Sequence, residues 1–242
     1  MSEKHHSYLR GWWLLFVLVL AAVVSTWLIA CGSSTSEKGA TEPPLVTPYP
    51  GQRWGDFVFC DQPAPCYPTP GEVTPAPIPL EGTEGHSLFS GHPGYREFKT
   101  IEELGAFIGN RAVFRVPKFL PKNAELLSGF AVQKADGRIF DVGLSYSLRD
   151  AGADNLSEDL WINYNLYTQR PLMFGEVSPP SYTFTLLTIR GEKAIFQQPL
   201  DPKSRAGLNW FEGDGSFWTV QGVGLDLETL TAIAESLTDY QG

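Results

Sequence analysis

Eleven of the chain's nineteen prolines fall between Pro43 and Pro79, and that concentration decides which part of the chain is free to fold. Proline fixes φ and brings no backbone donor, so a stretch such as Thr74–Pro79 (TPAPIP) is barred from helices and central strands and stays extended. Gly32 to about Tyr95, rich first in Ser, Gly, Thr and Glu and then in Pro, therefore reads as a spacer. As a flexible coil its roughly 64 residues would average about 45 Å end to end, and as polyproline they would approach about 200 Å. The regular pattern of a folded unit starts only at Phe98.

Upstream of the spacer, Lys4 and Arg10 precede an uncharged run from Trp12 to Val24, and Leu28-Ile29-Ala30-Cys31 closes it. A basic start, an apolar middle and small residues at the end form the layout of an export signal. Gly11 to Ala30 also has about the twenty residues that a membrane helix needs, so length leaves an uncleaved span open as the alternative. The LIAC tetrad resembles the bacterial lipobox, in which the cysteine receives a diacylglyceryl group before the signal is removed. That resemblance implies a lipoprotein: residues 1–30 a signal peptide, Cys31 the lipidation site, and residues 31–95 a tether. Two or more acyl chains anchor stably where one does not, so palmitate-type lipidation at Cys31 would hold the chain on the extracytoplasmic side of a cell membrane.

Within the tether, Trp54–Tyr67 (WGDFVFCDQPAPCY) gathers four aromatics around Cys60 and Cys66. Outside the reducing cytosol these two thiols are free to pair. A loop so short contributes about 2 kcal/mol, enough for a local aromatic knot and too little for a domain. Two thiols lack the third and fourth ligands of a structural zinc. His86 and His92, six apart in a Gly- and Ser-rich stretch, read as solvated loop residues, so no metal or other cofactor is expected.

Residues 96–242 have the size of one domain. Thr100 with Glu103 forms a capping-box pattern, and Ile101, Leu104, Phe107 and Ile108 share a helical face. Strand-like runs follow at Glu125–Gln133, Arg138–Leu148 and Asp159–Thr168, the first two joined by a turn containing Asp136-Gly137. Further hairpins are expected over Tyr182–Gln198, with Arg190-Gly191-Glu192 at the tip, and Leu208–Gln221, with Gly213-Asp214-Gly215 at the tip. Asp226 caps a closing helix whose stripe is Leu227, Leu230, Ile233, Ala234 and Leu237. Strands between two terminal helices predict an α+β fold: an antiparallel sheet of hairpins with a short N-terminal and a C-terminal helix packed on it. A pure β sandwich is the second choice.

The order FRVPKFLP, VGLSYS and LNWFEGDGSFWTVQGVGLDLETLTAIAESL is similar to an uncharacterised domain of exported bacterial proteins, found also on anti-sigma-factor-like proteins. The similarity spans roughly Thr100 to Leu237 and extends distantly to the open sheets of lipoprotein-carrier-like domains. What it implies is a fold, with a lipid-carrying cavity as a possible extension. It carries no catalytic residue.

The chain has 18 Lys+Arg against 27 Asp+Glu and a net charge of −9. No basic run follows the leader, which argues against nucleic acid as a partner. All four histidines and all three cysteines precede Phe98, so residues 96–242 alone cannot build a Ser-His-Asp or Cys-His system. Glu212 and Asp214 have the spacing of a glycoside-cleaving pair but flank turn glycines. Gly222-Val223-Gly224 lacks the third glycine of a dinucleotide loop and the Lys of a P-loop. Among the many aromatics, Trp161 and Trp218 are the candidates for an exposed binding platform. The sequence thus predicts a non-enzymatic, membrane-anchored binding or sensing lipoprotein whose partner is an envelope protein, a glycan or a lipid. An acyl carrier is the alternative, and a carboxylate-based wall hydrolase ranks last.

Overall fold

The turns expected from the sequence close hairpins in the computed structural model, which describes residues 45–63, 71, 73–78, 92–148, 158–176 and 181–242. β9 (Tyr182–Ile189) and β10 (Glu192–Pro199) are joined by Arg190 and Gly191, at φ 53° and 83°. Two positive φ values in a two-residue loop match the twist of the flanking strands, which is why glycine serves there. β11 (Arg205–Phe211) and β12 (Phe217–Val223) meet across Glu212–Ser216, where the Ser216 N–H and hydroxyl both donate to Asp214 Oδ1. β5 (Glu125–Gln133) and β6 (Ile139–Ser147) are linked by a turn with Gly137 at φ 89°.

With β3 (Tyr95–Phe98) and β7 (Leu160–Asn165) these strands form one eight-stranded sheet in the order β3-β5-β6-β7-β12-β11-β10-β9. Every neighbouring pair in it is antiparallel. α1 (Ile101–Ile108) starts on Thr100, whose hydroxyl accepts from the Glu103 N–H, and α2 (Leu227–Glu235) starts on Asp226, which accepts from the Thr229 N–H. β4 (Arg115–Pro117) pairs with β13 (Leu237–Asp239) beside them.

The expected α+β class is corrected by this architecture, which is predominantly β. Of the described residues strand makes up 48% and helix 11%, and the two helices among them have only 8 and 9 residues. Helical periodicity in the sequence was real but brief, and the described elements between the two helices are all strands. A second, three-stranded sheet adds to the β content: β1 (Arg53–Trp54), β2 (Phe57–Pro63) and β8 (Leu172–Glu176), in the order β1-β2-β8 with β2 and β8 parallel.

Alternation along the strands gives the large sheet two different faces. On one, Val142, Leu144, Tyr146, Ile162, Tyr164, Leu208, Trp210, Trp218 and Val220 join Leu104 and Ile108 of α1 and Leu230, Ile233 and Ala234 of α2 in the main core. On the other, Phe57 and Phe59 of the small sheet pack with Leu186, Ile195 and Phe211, covering β9 to β11. Residues that composition assigns to the tether thus belong to the folded unit. Trp54 donates its indole N–H to Leu187 O and Ala194 O, Val46 pairs with Leu186, and Ile78 is buried with Phe130, Val132 and Phe140. The leader, Cys31, Cys66 and His86 lie outside the described residues, and with them the lipidation site and the Cys60–Cys66 pairing; Cys60 itself is buried in β2.

Candidate functional site

Among the described residues, the second face of the large sheet carries a concavity of about 530 Å³ between the small sheet and the Ile78 cluster. That volume is within the usual range of about 300–1,000 Å³ for small-ligand sites. Its floor comes from the half of the alternation that does not point into the main core: Asp141 and Ser145 on β6, Asn163 and Asn165 on β7, Thr219 and Gln221 on β12. These polar side chains are tied across the strands. Asn163 Nδ2 donates to Asp141 Oδ1 at 2.6 Å and to Val142 O at 3.0 Å, and Asn165 Nδ2 donates to Asn163 Oδ1 at 3.3 Å. On the neighbouring strands Gln221 donates to Thr219 at 3.2 Å, and the Thr219 hydroxyl donates to Asn209 at 2.8 Å.

The wall is aromatic. Trp161 meets Phe130 edge to face at 5.9 Å, and Phe130 stacks with Tyr95 at 5.7 Å. Two local devices put Phe130 there. Leu126 pairs with Tyr146 whereas Ser128 pairs with Ser145, so β5 carries one extra residue at Leu127. Because the side-chain period is two, that bulge reverses the phase of β5 and turns Ser128 and Phe130 onto the open face. Opposite Phe130 stands Gly143, where a Cβ would come within 2.1 Å of the Phe130 ring.

Three buried polar atoms of the concavity have no partner: Asp141 Oδ2, Ser145 Oγ and Trp161 Nε1. Asp141 is 0% exposed. Burial pushes its carboxyl up to about 8, against the lowering effect of its hydrogen bonds from Asn163 and the Val142 N–H. Near neutral pH the unpartnered oxygen therefore carries a proton and is a donor, as in sites that keep a carboxylic acid neutral for hydrogen bonding. Around the rim Tyr95 is held above its ordinary value by burial, then by Glu97 and Glu158. Arg205 lies with its guanidinium 5.8 Å from the Trp161 ring and donates to Glu158 O. Among the described lining residues are three acids, Glu97, Asp141 and Glu158, and no Lys, Arg or His.

Of the two tryptophans expected to form a platform, only Trp161 lines the concavity. Trp218 is on the opposite face, 2% exposed, stacked on Trp210 at 6.0 Å with its N–H donated to Ser216. Register explains the split, because Trp161 stands opposite Gln221 and Trp218 opposite Tyr164 on the same pair of strands. Glu212 is engaged elsewhere, with Arg115 at 2.5 Å and Arg190 at 3.5 Å, while Asp214 orders its own turn. His92 accepts the Gly94 N–H and lies edge-on to Phe140. Among the described residues no group of three His, Cys, Asp or Glu is placed to hold a metal. None of their helices is long and apolar enough to cross a membrane. The site residues that sequence reading passed over, Asp141, Ser145, Asn163 and Asn165, had one signal: polar residues alternating with apolar ones in the middle of the sheet.

Comparison with protein-family models, curated proteins and solved structures finds no match. Function is therefore argued from the chemistry of the concavity.

Proposed function

We propose that this chain is a lipid-anchored, extracytoplasmic binding protein whose ligand rests in the concavity of the eight-stranded sheet. One observation carries the reading: Asp141 Oδ2, Ser145 Oγ and Trp161 Nε1 are buried, unpartnered, and gathered beside an aromatic wall. Leaving a buried polar group without a partner costs about 1–3 kcal/mol. A ligand that supplies the missing partners recovers that cost, which makes the cluster a source of affinity. A carboxyl with a strongly displaced pKa in a cleft is the kind of group that marks a functional site.

The role is non-enzymatic in this reading: the open hydrogen-bonding groups and the aromatic wall are what would hold a ligand. The acyl-carrier alternative has less support. On the helix-covered face the space against Val142, Leu144 and Ile162 is about 10 Å³, about one water. The hollow of about 250 Å³ beside Gly105, Gly109 and Tyr240 has Arg115 and Asp239 in its lining, and the open face is floored by amides that an acyl chain would leave unsatisfied. The LIAC tetrad supports the anchor and, with it, a site outside the membrane.

Two measurements on cells expressing the full chain test this. Palmitate labelling is expected for the wild type and lost in Cys31→Ala, and equal labelling of both would contradict the anchor. Small molecules extracted from the purified protein are expected to include a polar species depleted in Trp161→Ala; a long-chain lipid in its place would favour the carrier.

A further inference from the structure

We infer that the ligand of this site is a neutral saccharide, bound by hydroxyl groups to the Asp141, Ser145, Asn165 and Gln221 floor with a ring face against the Trp161 wall. This rests on the reading of the concavity as a ligand site and adds the class of molecule.

The class follows from which hydrogen-bonding positions remain open. Asn163 has spent both amide hydrogens, on Asp141 and Val142. Asn165 has spent one, on Asn163, and Gln221 has spent one, on Thr219. Since a side-chain amide has two hydrogens, each keeps one donor, and Gln221 keeps its carbonyl oxygen. To these are added the Trp161 N–H, a donor only; the Ser145 hydroxyl, which is both; and the second oxygen of Asp141. The open set is thus a mixture of donors and acceptors along the floor, with Asp141 opposite Asn165 and Ser145 opposite Trp161, which stands opposite Gln221.

An organic cation would satisfy the acceptors and strand the Trp161 and Asn165 donors. An anion would satisfy the donors but would face Glu97 and Glu158 with no Lys or Arg among the described lining residues. An apolar ligand would strand all of them, at the cost of buried unpaired groups. Hydroxyl groups each give and accept, so a polyhydroxylated neutral molecule fills the set. The aromatic wall supplies a rigid apolar surface for the C–H face of such a ring. A volume of about 530 Å³ has room for a short oligosaccharide.

The test is isothermal calorimetry on the full-length chain in a detergent without a sugar headgroup, titrated with maltotriose, cellotriose and tri-N-acetylchitotriose. At least one is expected to bind, with affinity lowered about tenfold or more in Trp161→Ala and unchanged in Trp218→Phe. Ser145→Ala, a small change that the fold should accept, is expected to weaken binding of the same sugar. If none of the three binds while tetramethylammonium or hexanoate does, with loss in Trp161→Ala, the site stands and the saccharide assignment is overturned. If no probe of any class binds, both fall. Saccharide binding indifferent to Trp161→Ala and Ser145→Ala would overturn the placement.

Discussion

Asp141 ties the stability of the protein to pH. Its carboxyl lies well above the ordinary 3.8, at about 8, so between about pH 4 and 8 the folded state holds a proton that the unfolded chain releases. Stability from this residue is fully present below the unfolded value and is lost as pH rises through the folded one, with a slope of at most about 1.4 kcal/mol per unit. Tyr167, itself raised by burial and by the Asp141 charge, shares the region, and the rim groups Glu97, Glu158 and Tyr95 face the same concavity. Asp141→Asn keeps the Asn163 contact and removes the titration. Urea midpoints between about pH 5 and 8 are expected to fall with pH in the wild type and to be flatter in the variant; a parallel slope in both would refute this. A second residue-scale prediction concerns Gly143. Gly143→Ala should cost about 1–3 kcal/mol by crowding the Phe130 ring, and Phe130→Ala in the same chain should relieve part of that loss. Neither role was legible beforehand, because polar residues alternating with apolar ones read equally as a solvated face. Whether that face is open or partly roofed depends on segments far away in sequence.

Elements whose signals are local were read well: the Thr100 and Asp226 caps, the Arg190-Gly191 tip and the Gly215 turn all rest on contacts within a few residues. β1, β2 and β8 were not. They are short, and proline surrounds β2. The decisive pairing joins Phe57–Phe59 to Leu172–Phe174 across more than a hundred residues. Their packing with Leu186, Ile195 and Phe211 is a long-range hydrophobic effect that composition in a window does not register. The expectation that residues 31–95 are tether throughout has a measurable counterpart: Phe57→Ala should cost about 3–5 kcal/mol of global stability, whereas an independent knot would leave the main transition where it was. Chemical denaturation followed by far-ultraviolet circular dichroism distinguishes the two. Asp226→Ala should cost about 0.5–2 kcal/mol through loss of the α2 cap.

At the scale of the whole molecule, one sheet is covered on one face by α1, α2 and the β4–β13 pair, and on part of the other by the small sheet and the Ile78 cluster. The stretch over β5, β6, β7 and β12 that neither of these covers is where the polar floor lies among the described residues. The α+β expectation failed at this scale because it weighed two helices of modest length against strands one by one, while seven strands of one sheet lie between them. The proposed anchor at Cys31 has its own test. Mass spectrometry of the native amino terminus is expected to find a chain beginning at a diacylated Cys31, and an unmodified chain beginning at Met1 would contradict the anchor.

Indole N–H resonances give the most direct test of the concavity itself. The chain has 7 tryptophans, and the N–H groups of Trp54, Trp210 and Trp218 are already donated within the protein, whereas that of Trp161 is not. Full-length protein labelled with ¹⁵N-tryptophan, its Trp161 signal assigned by Trp161→Phe, is mixed with the deproteinised polar extract of the cells that make it. The account predicts a shift of the Trp161 signal with Trp210 and Trp218 unmoved; an unmoved Trp161 signal, or a shift confined to the helix-covered face, would contradict it.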